Sequence, residues 1–161
     1  MAEEAKAAIM NGNDAVYGGA AECYVTINGK RYNFMSMTEF ESKWEVVIKD
    51  VPILGKVGMG HKAAGAKGTW KGKAHYNQSA FRTMADEYQK KGTMPYFEMQ
   101  VTNEDKTSAA GRQTISLHGC LCEEFTLAKF QAGEELLEEE LSGTFESWDM
   151  PEKFKDLAGT Q

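Results

Sequence analysis

Residues 23–34 read CYVTINGKRYNF. Asn28-Gly29 sits between two runs that alternate apolar and polar side chains. That is the strongest short-range sign of a two-residue hairpin of type I′, whose twist matches that of paired strands. In this register Ile27 lies opposite Lys30, Val25 opposite Tyr32 and Cys23 opposite Phe34, so their apolar members share one face. Thr26 with Arg31 and Tyr24 with Asn33 take the other. Turn, register and pattern agree, as they must in a real hairpin.

Working outward, the second strand of this hairpin continues far. Tyr32, Phe34, Phe40, Trp44, Val46 and Ile48 share one parity, and Glu39, Glu41, Lys43 and Glu45 hold the other. Most strands run about 5–6 residues, so one this long must bend or project beyond the domain. Projection leaves a free edge for another chain to pair with. Residues 49–68 then break the alternation with Gly55, Gly58, Gly60, Gly65 and Gly68, yet keep Val51, Pro52, Ile53, Leu54, Val57 and Met59. The segment is too long for a turn and too apolar for a solvated linker. Two readings stay open: it docks onto another surface, or it folds back onto its own domain.

Alternation resumes at Trp70, Ala74 and Tyr76. Phe81, Met84, Ala85 and Tyr88 then fall at helical spacing, with Ser79 or Asn77 to cap the start and Gly92 to end it. Asp86 with Lys90 and Glu87 with Lys91 are favourably ordered i,i+4 pairs. Further strands hold Phe97, Met99 and Val101, then Ile115, Leu117 and Leu121, extending toward Phe125 and Leu127. The segment 134–148, EELLEEELSGTFESW, reads as a strand because Leu137, Leu141 and Phe145 keep one parity through Gly143. The expected fold is mainly β: an antiparallel sandwich or barrel of about six or seven strands, with one packed helix and a long projecting hairpin loop. Residues 1–20, rich in Ala, Gly, Asn and Glu, read as a flexible N-terminal arm. Residues 21–161 read as a single domain.

Composition narrows the function. A chain of 161 residues makes one ordinary domain, and a net charge of −6 argues against a basic nucleic-acid-binding surface spread over the molecule. No apolar run approaches ~18 residues, so no helical membrane span is expected. The acidic N-terminus is unlike a signal peptide. Cys23, Cys120 and Cys122 form no disulfide framework and are expected to be small buried hydrophobes. His61, His75 and His118 are scattered, without metal-ligand spacing. Gly58, Gly60 and Ala63 match a dinucleotide-binding count but precede a strand rather than a helix, and no Walker pattern is present. The carboxylates at 134–140 form a run rather than a converging pair, so a solvated face is favoured over acid–base chemistry. No nucleophile elbow is present. No catalytic residue, metal or cofactor is expected.

One ordered set of pieces is specific. It comprises YVTINGK; the Val51-Pro52-Ile53 loop with Gly55-Lys56 and Gly60-His61-Lys62; Lys67-Gly68-Thr69 opening the next strand; the helix; and Pro95-Tyr96-Phe97. It closes with Glu138-Glu139-Glu140 leading to Gly143-Thr144-Phe145-Glu146 and Met150-Pro151-Glu152. Across roughly residues 22–154 this resembles the tube protein of contractile phage-like tails of the PBSX type. The resemblance implies a structural subunit. Six copies would form a ring, and rings would stack into a hollow tube with a β-lined lumen inside a contractile sheath. It further implies a baseplate and a tail terminator as partners, and DNA only as a passenger through the lumen where the particle carries a genome. No membrane binding by the subunit is implied. The location implied is a virion or phage-tail-like particle assembled in a bacterial cytoplasm. Residues 49–68 would be the ring-stacking loop. Val51, Pro52, Ile53, Leu54, Val57 and Met59 would be buried between rings, and Lys56, His61 and Lys62 would meet the acidic Glu138, Glu139 and Glu140 of a neighbour. The alternatives are a lipocalin-like closed barrel carrying a small apolar ligand, and a hydrolase on a β-sandwich.

Overall fold

Asn28 and Gly29 both take positive φ, 51° and 78°, and join β1 (Ala21–Ile27) to β2 (Lys30–Asn33). Val25 pairs with Tyr32 and Ile27 with Lys30, the register that the alternation requires. The computed structural model describes residues 9–34, 37–133 and 136–156. After β2 come β3 (Met37–Val51), β4 (Gly60–His75), α1 (Ala80–Lys91), β5 (Phe97–Glu104), β6 (Arg112–Glu124), β7 (Glu138–Phe145) and β8 (Ser147–Glu152). All pairs are antiparallel. The order is β2-β1-β5-β6-β7-β4-β3, with β8 also on β6.

The long second strand expected from the pattern is two strands. β2 stays beside β1 at one end of the path, and β3 pairs with β4 at the other. Parity survives the break because Phe34 and Phe40 approach the same core from the two ends of the folded sheet. Residues 60–68, expected as loop, are strand. Gly60 to Ala66 pair with Val51 to Val46, and the register slips where Gly65 sits at φ 112°. Glycine tolerates that backbone, so one extra residue on β4 is absorbed as a bulge. The apolar alternation that marks a half-buried strand is missing here because neither face is buried by the rest of the chain.

β6 turns the corner of the fold. Its residues Arg112–Cys120 pair with β5, and its other edge carries first β8 and then β7. β7 and β8 are nearly one strand, hinged at Glu146, whose N–H donates to the His118 carbonyl at 3.0 Å. The register slip in the β5–β6 ladder lies between Leu117 and Cys120. It moves burial from Leu117 to Cys120 and Cys122 and leaves Leu121 half-buried, where unbroken alternation would have buried Leu121. β8 was not expected. It is exposed throughout and contains Pro151, which an edge strand tolerates because no ladder hydrogen bond is needed there.

Both halves of the sheet and the helix close on one cluster that includes Val25, Phe34, Trp70, Phe81, Phe97, Leu117 and Phe145. On β4 the inward positions alternate small and large. Gly68 lies between Trp44 and Phe145, Trp70 between Ser42 and Gly143, and Gly72 between Phe40 and Leu141. Each missing side chain is covered by a neighbouring ring, and Trp44 stacks on Phe145 with centroids 5.7 Å apart. Phe81 and Met84 bury the first half of α1, Gly92 ends it at φ 70°, and Tyr88 is left exposed.

The described part of the N-terminal segment makes hydrogen bonds to the domain. The Ala109 N–H donates to the Asn13 carbonyl at 2.8 Å, and the Tyr17 N–H to Asp105 at 2.9 Å. Residues 13–20 are thereby tied to the β5–β6 connection. The Asp105 carboxyl is held below its usual range by the Thr107 hydroxyl and by the Tyr17 and Thr107 N–H groups. Residues 1–8 lie outside the described residues.

Candidate functional site

β4 pairs with β7 only from Gly68 to His75. Beyond Gly68, β3 and β4 continue as a two-stranded ribbon supported by each other alone. Gly60–Lys67 span roughly 25 Å at the rise of a strand. Pairing stops at Val51 and Gly60, since Pro52 has no N–H to extend the ladder. At the tip the Lys56 N–H donates to the Ile53 carbonyl at 3.2 Å, closing a turn with Gly55 at φ 84°.

This ribbon carries its apolar residues into solvent. Trp44, Val46, Ile48, Val51, Ile53 and Met59 are exposed, and Leu54 and Val57 reach 103% and 106% exposure. An isolated two-stranded ribbon is marginal in water, and a contiguous apolar patch on it marks a surface made for another protein. β3 is also the last strand of the path, so its outer backbone edge is free along Met37–Val51 among the described residues. Lys56 and Lys62 are exposed beside the tip, while His61 already bonds Asp50 across the ribbon at 3.0 Å.

The other face of β3, β4 and β7 is a ladder of charge. Glu41 meets Lys43 at 3.2 Å and Lys71 at 3.5 Å, and Lys73 meets Glu140 at 3.7 Å and Glu39 at 3.9 Å. The Lys43 hydrogen bond, then the charges of Lys43 and Lys71, hold the Glu41 carboxyl below its usual range.

A free edge, a projecting apolar ribbon and a charged sheet face are features of a part built for assembly. A family model described as phage tail tube protein matches residues 8–152. The chain belongs to the phage tail tube protein family. The phage-like element PBSX protein XkdM of Bacillus subtilis (strain 168) is 35% identical to this tail tube protein over 117 residues, 73% of this chain and 80% of that one. Among solved structures, a chain of the anti-feeding prophage baseplate superposes with a TM-score of 0.64 at 13% identity, covering 84% of this chain and 95% of its own. A chain of the sheath–tube complex of the PVC extracellular contractile injection system gives 0.59 at 8% identity, covering 84% and 90%. At such identities the superpositions speak for the shared fold.

The acidic residues of this tail tube protein divide by face. Glu138 and Glu140 flank His75 and Lys73 on the charged face of the sheet. Glu139 points inward and is 4% exposed, which corrects its expected place beside Glu138 and Glu140 at an interface. There the Arg82 guanidinium of α1 donates to it and to the Gln78 carbonyl, reaches the Thr126 carbonyl at 3.3 Å and stacks 4.4 Å from the Tyr76 ring. Sequence periodicity hid this pair. A carboxylate on the core parity of a strand reads as noise until the helix supplies its cation.

Cys23, Cys120 and Cys122 are buried, and burial pushes each thiol up to about 12. They are core side chains, as expected of free cysteines. His118, one of the scattered histidines, joins two strands. It bonds Asp149 of β8 at 2.7 Å and Glu98 of β5 at 3.1 Å, and these contacts raise its pKa.

The closed-barrel alternative does not match the strand path, which ends in β2 and β3 as separate edges. Between β3 and the β1–β5–β6 face lies an open cleft of about 960 Å³. Glu22, Glu39 and Glu41 line it together with apolar residues, unlike a sealed apolar pocket.

Proposed function

We propose that this tail tube protein assembles with its own copies into hexameric rings that stack into the hollow tube of a contractile phage-like tail. The observation that carries the reading is the β3–β4 ribbon, whose apolar residues stand exposed on the isolated subunit and suit a second one. Val51, Pro52, Ile53, Leu54, Val57 and Met59 form the ring-stacking contact, with Lys56, His61 and Lys62 at its margin. The charged face of β3, β4 and β7 forms the lumen wall. Its lysines and glutamates are interleaved and paired, so the wall is polar and offers no basic stripe to hold DNA phosphates. Sheath, baseplate and terminator are the partners at the outer surface and at the tube ends, DNA is at most a passenger, and the chain catalyses nothing.

Negative-stain electron microscopy of the concentrated protein, with and without tail baseplates as seeds, tests this. Hollow tubes of uniform width are expected. Small particles alone under both conditions refute it.

A further inference from the structure

The stacking proposal gives the ribbon a surface to land on, and among the described residues an apolar patch stands at the other end of the same sheet. β4 runs from the ribbon tip down to His75, which pairs with Glu138 at the start of β7. The chain leaving β6 follows β7 to that same end. Thr126 Oγ1 accepts from the Glu140 N–H at 3.4 Å, the Leu127 carbonyl accepts from the Tyr76 hydroxyl at 3.0 Å, and Lys129 Nζ donates to the Glu138 carbonyl at 3.0 Å. These bonds, one to the Leu127 carbonyl and two through the Thr126 and Lys129 side chains, tie the segment to β7 and Tyr76, yet its apolar side chains face solvent. Leu127 is 68% exposed and Phe130 93%. A segment tied down at Thr126, Leu127 and Lys129 with Leu127 and Phe130 turned outward has already met part of the ordering cost of binding.

We infer that the patch around Leu127 and Phe130 is the receptor for the ribbon tip of the subunit in the next ring. The inference rests on the stacking role proposed above and names its second half. Three observations select a copy of this chain as the occupant. First, donor and receptor lie at opposite ends of one sheet, so docking one on the other repeats by translation. That is a head-to-tail contact, which extends as a filament instead of closing as a dimer. Second, the partners match in chemistry: Ile53, Leu54 and Val57 on the tip, Leu127 and Phe130 on the patch. Third, their margins are opposite in charge. Lys56 and Lys62 are exposed beside the tip, whereas Glu138 and Glu140 stand beside the segment that carries the patch. Opposed charge sets the direction of docking and disfavours tip-to-tip or patch-to-patch pairing.

The test is assembly of Phe130→Glu and of the double variant Val57→Cys/Phe130→Cys, with circular dichroism of the subunits to confirm folding. Phe130→Glu is expected to stay folded and to raise the concentration needed for tube growth at least about tenfold, as loss of a central aromatic anchor does. The double-cysteine protein is expected to form, on mild oxidation of tubes, a ladder of covalent multimers that neither single variant forms. The native cysteines are buried and do not compete. Wild-type tubes together with normal growth of folded Phe130→Glu and no ladder overturn the receptor while leaving the tube reading standing. Normal Phe130→Glu tubes that fail to hold the sheath reassign the patch to the sheath, and also overturn the receptor. If the wild-type chain forms no tubes, both readings fall.

Discussion

A Cβ built on Gly143 would lie 1.9 Å from the Leu121 carbonyl oxygen and 2.8 Å from Trp70 Nε1. The indole N–H donates to that same carbonyl at 3.2 Å, so β7 passes over a bond that joins β4 to β6. Nothing there is a flexible side-chain end that can step aside. Gly143→Ala is therefore expected to destabilise the subunit by about 2 kcal/mol or more, read from urea unfolding, because overpacking a filled core forces backbone shifts. His118 gives a prediction in pH. Its pKa is raised when folded, so its contribution is complete below the unfolded value of about 6.5 and is lost as pH rises through the folded value. The contribution is therefore fullest just below that unfolded value, at about pH 6. His118→Gln should cost most stability there and progressively less toward pH 9. Thermal melts of both proteins across that range check it, and a gap that widens at alkaline pH would contradict the contact.

At the scale of elements, α1 is held by two apolar side chains and by the Arg82–Glu139 pair. Breaking a buried pair by removing one partner leaves an unpaired charge and costs about 3–5 kcal/mol, far more than an exposed pair. Arg82→Ala should approach that loss, with Glu139→Gln milder because a neutral amide is left. Equilibrium unfolding of the two variants compares them directly. Equal, small losses would mean that the helix is carried by Phe81 and Met84 alone. The exposed Asp86–Lys90 pair, though visible in the sequence, contributes only a few tenths of a kcal/mol. The ribbon is the opposite case. It adds little to subunit stability, since beyond Gly68 its two strands pair only with each other and leave their outer edges open.

For the whole molecule, the stacking proposal makes assembly and folding separable, because the residues proposed to stack are not the residues that close the core. Lys56→Glu reverses a charge beside the tip without touching the core cluster. It is expected to leave the unfolding transition unchanged and to shorten tubes, with added salt narrowing the difference as screening weakens both attraction and repulsion. Tube lengths measured by electron microscopy at low and high salt decide this. Tubes of wild-type length from Lys56→Glu at low salt would remove the lysine from the contact.

The sequence by itself determined the local elements. Asn28-Gly29 set the first hairpin, Ser79 to Gly92 bounded the helix, and unbroken parity through Gly143 chose strand over helix for β7. Each rests on neighbours a few residues apart, where turn chemistry and periodicity act. The apolar run at 51–59 was open in sequence to docking outward or to folding back, and in the structure it stands exposed. Only the tertiary structure decided that Tyr32 and Phe40 belong to different strands, that Gly60–Gly68 is paired backbone, and that Glu139 faces Arg82. Parity is the same in two successive strands when both face one core. Glycine and alanine carry no burial pattern. An inward carboxylate is explained only by a cation about sixty residues distant in sequence and adjacent in space.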